Sequence, residues 1–144
     1  AGGRGISPFL SALPVLAESK RDYSLLYGAK TARTLLFRPF LADFPVSYRT
    51  DDGSFGQRGL VVDGLSREVD LVFACGPEKM LERVALFYKD LPTEVYLSLE
   101  ERMGCGTGIC YGCARKVRTD RGVEMVRVCE EGPVFEASRV VWDE

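Results

Sequence analysis

Apolar positions along the chain fall into short, distinct rhythms, and each rhythm predicts an element. Phe9, Leu10, Leu13, Leu16 and Ala17 recur at helical spacing, which puts them on one stripe of a helix. Ser7 is placed as its N-cap with Pro8 at the first helical position, and Pro14 predicts a kink or an early end. Residues 23–27 read as a short strand closed by Gly28, residues 31–41 as a weak helix interrupted at Pro39, and Val46–Thr50 as a second strand. Asp51-Asp52-Gly53-Ser54 is turn chemistry, and residues 71–74 are an apolar run that reads as a buried strand ending at Cys75-Gly76-Pro77. Glu78–Tyr88 has the clearest helical pattern, with Met80, Leu81, Val84, Phe87 and Tyr88 on one face.

Strands that alternate with helices predict a parallel sheet, whose ligand sits at the carboxyl ends of the strands, where Gly28, Thr50 and Cys75 fall. Beyond Leu91-Pro92 the rhythm shortens to strand-like pieces at 94–99, 114–118 and 123–128. The expectation is an α/β chain in two parts. Residues 1–91 form a parallel-sheet nucleotide-binding domain and residues 92–144 a small domain of short antiparallel strands. The chain opens on Ala1-Gly2-Gly3-Arg4-Gly5, a glycine loop with no strand and no Met ahead of it, so it reads as a fragment or processed piece of a longer protein.

Composition removes several classes of function. The chain has 144 residues, 46% of them apolar, enough for a buried core. A net charge of -2 with no basic stripe argues against nucleic acid or an anionic membrane as partner. No apolar run nears the roughly 18 residues of a membrane helix and no signal-peptide pattern is present, so the cytoplasm is the expected location. With no histidine, the chain has no Ser-His or Cys-His nucleophile, no imidazole acid or base and no Rieske-type ligand set.

Five cysteines, three of them within nine residues, fit a metal centre better than a disulfide framework. Cys105-Gly-Thr-Gly-Ile-Cys110-Tyr-Gly-Cys113 followed by Cys129 has the form C-x4-C-x2-C-x15-C, the spacing of plant-type 2Fe-2S centres. Two irons bridged by sulfide need thiolates from a tightly wrapped loop plus one anchor from elsewhere. Gly104, Gly106, Gly108 and Gly112 let the backbone approach, and their amides can point at the sulfides and stabilise the negative cluster. The alternative is a structural four-Cys zinc site, which commonly pairs two C-x2-C units where this chain has one.

Gly2, Gly3 and Gly5 ahead of a helix suit a phosphate cradle, since free amides and the helix dipole both attract a pyrophosphate. Packing alone also places glycines there. Cys75-Gly76-Pro77 would put a small thiol and a bare backbone where a flat ring can lie, although a lone cysteine is commonly a buried core residue.

The glycine loop ending in Ser7-Pro8, the turn with Asp52 and Gly53, and the strand end Cys75-Gly76-Pro77 together resemble the ferredoxin-reductase family of flavoproteins. The stretches from Ser98 through Cys113 and from Arg127 to Phe135 look more narrowly like the electron-transfer subunits of class 1B dihydroorotate dehydrogenases. The resemblance implies that a pyridine nucleotide lies across the three loops with Cys75 near the nicotinamide. It further implies hydride exchange with an FAD held mostly by a preceding barrel absent from this chain, and single electrons passing through the 2Fe-2S cluster. The partner so implied is an FMN-containing catalytic subunit in a heterotetramer, within pyrimidine biosynthesis and with flow towards NAD. The chain would be an oxidoreductase subunit, incomplete on its own.

The end of the second predicted strand offers no acid for a ribose, only Lys30 and Arg33, so NAD rests on the resemblance alone. Arg4 either contacts phosphate or faces solvent. Two other functions stay open, the related small subunit of a ferredoxin-dependent NADP oxidoreductase and a non-catalytic redox-sensing iron-sulfur module. Tyr111, between two ligands, reads as a shield for the cluster, while Phe135 and Trp142 read as core or edge-strand residues.

Overall fold

A computed structural model describes residues 1–19 and 21–142. The chain divides into two compact units, one of Ala1–Ser66 with Cys75–Met80 and the other of Arg67–Ala74 with Leu81–Glu144.

In the first unit a 3-10 turn, Gly3–Ile6, runs straight into helix α1, Ser7–Glu18. Ile6 occupies the N-cap position, and the Ser7 hydroxyl donates to the Arg4 carbonyl at 2.9 Å. Ser7 therefore does not cap α1 as its sequence predicts, because the preceding turn already supplies helical geometry. Nor does Pro14 end the helix. It is exposed and lies within α1, and the carbonyl that loses its partner belongs to half-exposed Leu10.

Strand β1, Leu25–Ala29, pairs in parallel with β2, Val46–Thr50, in register Leu25↔Val46 to Ala29↔Thr50, and β2 pairs in parallel with the short β3, Gln57–Arg58. The predicted helix over 31–41 resolves into two 3-10 turns, Ala32–Thr34 and Arg38–Leu41, with Pro39 opening the second. The core comprises Ile6, Leu13, Leu25, Tyr27, Leu35 and Leu41, with Phe9, Phe37, Phe44, Tyr48 and Phe55 packed against it.

β4, Leu71–Cys75, and helix α2, Glu78–Tyr88, follow. β4, β5 (Glu94–Ser98) and β8 (Val134–Glu136) form one sheet in that order, with β5 and β8 antiparallel. Leu81, Val84 and Tyr88 are the buried positions of α2, and Val95, Leu97, Val117, Val128 and Val140 are also buried in the second unit. The apolar run at β4 reads as buried on both faces, yet Leu71 and Phe73 are 45% and 56% exposed and only Ala74 is buried. Phe73 instead stacks on Tyr96, ring centroids 5.6 Å apart. An apolar run shows that a strand can be covered on both faces, and tertiary packing decides whether it is.

The cysteine loop is followed by a hairpin of β6, Ala114–Thr119, and β7, Gly122–Arg127, in register Ala114↔Arg127 to Thr119↔Gly122. A single helical turn, α3 (Val128–Glu131), comes next. Phe135 pairs opposite Leu97 on β8, and Trp142 lies 5.4 Å beneath the Arg115 guanidinium. Among the described residues no helix is long and apolar enough to cross a membrane.

Candidate functional site

The glycine loop meets the Cys75-Gly76-Pro77 strand end backbone to backbone. Gly2 N–H donates to the Cys75 carbonyl at 2.9 Å, Gly28 N–H to the Ala1 carbonyl at 2.9 Å, and Gly2 forms a parallel bridge with Gly28. A methyl group on Gly5 would sit 2.3 Å from the Cys75 carbonyl oxygen and 2.6 Å from the Gly76 nitrogen. On Gly2 it would meet Met80 Sδ at 2.6 Å and Pro77 Cδ at 2.9 Å. These two glycines are therefore required first by close packing. Gly3 has open space around its missing side chain but φ of +55°, so conformation is what selects glycine there.

Asp52 and Gly53 stand along the same edge, because the β1–β2 register places the residues after Ala29 and after Thr50 side by side. Asp52 Oδ1 accepts from the Ser54 amide at 3.0 Å and the Ser54 hydroxyl at 2.6 Å, and Ser54 Oγ in turn accepts from the Ala32 amide at 2.7 Å. The Ser54 side chain, followed by its amide, holds the Asp52 carboxyl below the usual carboxylate range. Beneath this turn Thr50 is fully buried. Its hydroxyl donates to the Phe55 carbonyl at 2.9 Å and accepts the Phe55 amide at 3.0 Å. Thr50→Val leaves both Phe55 groups without that partner, and a loss of about 1–3 kcal/mol in denaturant unfolding is expected; a value near zero would show that the turn does not depend on Thr50.

Ser7 and Pro8 lie exposed at the start of α1, as do Arg4, Lys30 and Arg33 in the loops of this edge. Cys75 is half-buried and ends β4. The structure thus joins Gly2 and Gly5 to Cys75, Gly76 and Pro77 and ranges Asp52 and Gly53 beside them.

The second constellation is built on sulfur. Thr107, Ile109 and Cys110 N–H groups donate to Cys105 Sγ at 3.4, 3.3 and 3.4 Å, and Cys105 and Gly112 N–H groups donate to Cys110 Sγ, both at 3.3 Å. A neutral thiol is a weak acceptor, so a loop that turns its amides onto sulfur is shaped for thiolate. Its tight curvature needs left-handed backbone at Gly106 (φ +69°), Gly108 (φ +79°) and Tyr111 (φ 56°). A methyl on Gly104 would lie 2.7 Å from Cys110 Sγ.

The Thr107 side chain, then the amides of Thr107, Cys110 and Ile109, hold the Cys105 thiol down to about 6. Cys129 is pushed the other way, chiefly by its hydrogen bond with the Cys113 thiol, then by burial and by the charges of Cys113 and Cys105. Cys129 thus feels both Cys113 and Cys105. Cys113 is buried, Cys129 half-buried, and Val128 N–H donates to the Cys113 carbonyl at 3.1 Å, which ties α3 to the end of the loop. Among the described residues, no three His, Cys, Asp or Glu side chains gather tightly enough for a single metal ion. A mononuclear zinc site draws every sulfur to about 2.3 Å from one point, whereas a sulfide-bridged pair of irons spreads its thiolates over two metals. The amide-to-sulfur hydrogen bonds suit thiolate ligands held by this loop.

Sequence reasoning missed the side chains around this loop. Arg127 and Glu131 flank Cys129 at i,i+4 spacing and form a forked ion pair. Arg115, on β6, pairs with Glu101 at 3.2 Å, tying the segment ahead of the loop to the hairpin behind it. The i,i+4 Arg-Glu spacing is the one signal in the sequence that points to the first pair.

Residues 100–141 match the family model described as the iron-sulfur cluster binding domain of dihydroorotate dehydrogenase B. The chain is 37% identical over 146 residues to the dihydroorotate dehydrogenase B (NAD(+)) electron transfer subunit of Streptococcus mutans, the match covering 99% of this chain and 56% of that one. The equivalent subunit of Caldanaerobacter subterraneus is 38% identical over 98% of this chain and 57% of its own length. Among solved structures, a chain from work on flavin-based electron bifurcation by the NADH-dependent reduced ferredoxin-NADP oxidoreductase superposes with a TM-score of 0.80 at 28% identity. That match covers 98% of this chain and 52% of the other. The chain thus spans little more than half the length of the curated relatives it matches.

Proposed function

This chain belongs to the family of dihydroorotate dehydrogenase B electron-transfer subunits, and from that premise we propose that it holds a 2Fe-2S cluster on Cys105, Cys110, Cys113 and Cys129. Its role is to pass electrons between a pyridine nucleotide with FAD on one side and an FMN-containing dihydroorotate dehydrogenase subunit on the other. The observation that carries the reading is the set of amides turned onto Cys105 and Cys110 sulfur, a setting that stabilises thiolate and a negatively charged group bound to it. When bound, the cluster supplies one-electron chemistry, and the residues of this chain orient it and limit water around it. Cys113 and Val128, both buried, form the dry side of the site.

On the nucleotide side, the proposed contacts are Gly2, Gly3, Gly5, Ser7 and Pro8 for the pyrophosphate at the start of α1, Asp52 and Gly53 along the sheet edge, and Cys75, Gly76 and Pro77 beneath the nicotinamide. Residues 1–91 would serve the nucleotide and residues 92–144 the cluster. FAD would be held chiefly by residues outside this stretch, the assembly would be a heterotetramer, and the work would take place in the cytoplasm as part of pyrimidine biosynthesis.

Iron and acid-labile sulfide assays on the purified protein, with the electron paramagnetic resonance spectrum after reduction, test the centre. Two irons and two sulfides per chain and a rhombic signal are expected; bound zinc and no signal would overturn the assignment. The structural similarity at a TM-score of 0.80 supports a second reading, a subunit of a ferredoxin-dependent NADP oxidoreductase. Comparing NADH and NADPH as reductants of the full-length subunit, and capturing its partner, separates the two. A redox-sensing module would bind neither nucleotide.

A further inference from the structure

We propose that Arg127 is the positioning residue of the cysteine loop, which it locks together with Glu131 onto the turn that carries Cys129. The inference rests on the reading of the four cysteines as ligands, and it assigns to this pair both the retention of the centre and its electrostatic setting.

One guanidinium engages three segments at once. Its Nη1 donates to the Gly108 carbonyl at 2.6 Å, midway between the first two cysteines. Its plane lies 5.1 Å from the ring of Tyr111, between the second and third. Its Nε donates to Glu131 at 3.0 and 3.2 Å, and the Nη2 bond to Oε1 completes the fork. Glu131 also accepts the Arg127 backbone amide at 2.6 Å, so both ends of α3 are fastened around Cys129. The partners are themselves constrained. Gly108 is buried with φ of +79°, and a methyl there would meet Glu130 Oε2 at 2.8 Å, while Tyr111 holds a left-handed φ that a non-glycine residue rarely adopts.

An exposed ion pair would contribute little. Arg127 differs in being 25% exposed at its side chain and in bonding a backbone carbonyl and an aromatic face as well as a carboxylate. Lysine has no planar fork and cannot serve these partners together, so Arg127→Lys keeps the charge and removes the lock. Arg127→Gln leaves the Glu131 charge uncompensated beside the centre, and Glu131→Gln leaves the Arg127 charge uncompensated.

The test uses the full-length subunit and three readouts. Iron release to a chelator is expected to be about tenfold faster, or more, in R127K than in wild type, the scale on which outer partners of a metal site act. The midpoint potential is expected to move to more negative values in R127Q and to more positive values in E131Q, because reduction adds negative charge. A role confined to folding would not produce opposite signs. Backbone hydrogen exchange over residues 105–112 is expected to quicken in R127K, and this holds whether or not metal is present. Wild-type iron release and potential in all three variants would overturn the proposal. A wild-type protein without iron or sulfide would count against the ligand reading, and unchanged exchange in R127K would then still overturn the lock. If R127Q does not fold, R127K and E131Q decide the matter.

Discussion

Cys129→Ser is expected to empty the metal centre while leaving the fold in place. Cys129 lies on the single helical turn α3, is half-buried, and is the one cysteine of the four contributed from outside the loop. Loss of an outer partner of a metal site costs about 10–100-fold in affinity, and loss of a ligand should exceed that. Iron, sulfide and visible absorbance should therefore fall to a small remainder, with the far-ultraviolet spectrum unchanged because Val128, not Cys129, fills the core at this turn. The fifth cysteine supplies the control. Cys75 ends β4 and lies outside the C-x4-C-x2-C-x15-C set, so Cys75→Ser should retain the full complement of iron. Equal losses in the two variants would break the four-ligand assignment.

The second large effect lies at Gly5. Alanine there would bring Cβ to 2.3 Å from the Cys75 carbonyl oxygen and 2.4 Å from its carbon. These are backbone atoms, which cannot rotate aside as a side chain would, so strand end and glycine loop must separate. Gly5→Ala is expected to cost about 3 kcal/mol or more, the upper range for overpacking, and to abolish nucleotide binding. The modest gain from a stiffer unfolded chain, roughly 0.4–1 kcal/mol, does not offset it. Gly3→Ala is the comparison, since it meets no atom within 4 Å but must hold φ of +55°. Its expected cost is about 1–2 kcal/mol, that of left-handed backbone alone. Urea unfolding of both variants measures the difference, and a Gly3 variant as damaged as the Gly5 variant would show that conformation, not contact, governs the loop.

Much of this fold is legible in the sequence. The 3.6-residue rhythm of Leu81, Val84 and Tyr88 placed α2 over Glu78–Tyr88, because an amphipathic helix must bury one stripe. Val46–Thr50 was equally clear as a strand. Local signals failed where their outcome depended on neighbours. Ser7 has capping chemistry, but the turn over Gly3–Ile6 supersedes it. Residues 31–41 have helical spacing but resolve into two 3-10 turns. The two-residue β3 and the single turn α3 are too short for periodicity to register.

The sequence by itself determined the chemistry of the site. Cysteine spacing follows from covalent order, so C-x4-C-x2-C-x15-C with glycines between, and no histidine anywhere, already narrowed the candidates to an all-cysteine centre with the spacing of plant-type 2Fe-2S sites. Tertiary structure alone decided how that chemistry is held. The fork of Arg127 and Glu131 around Cys129, the reach to the Gly108 carbonyl, the Tyr111 ring against the guanidinium and the contact of Gly5 with Cys75 join residues separated by up to about 70 positions. Hydrogen bonds and close contacts act over a few ångströms of space, and position along the chain does not reveal that distance until the chain has folded.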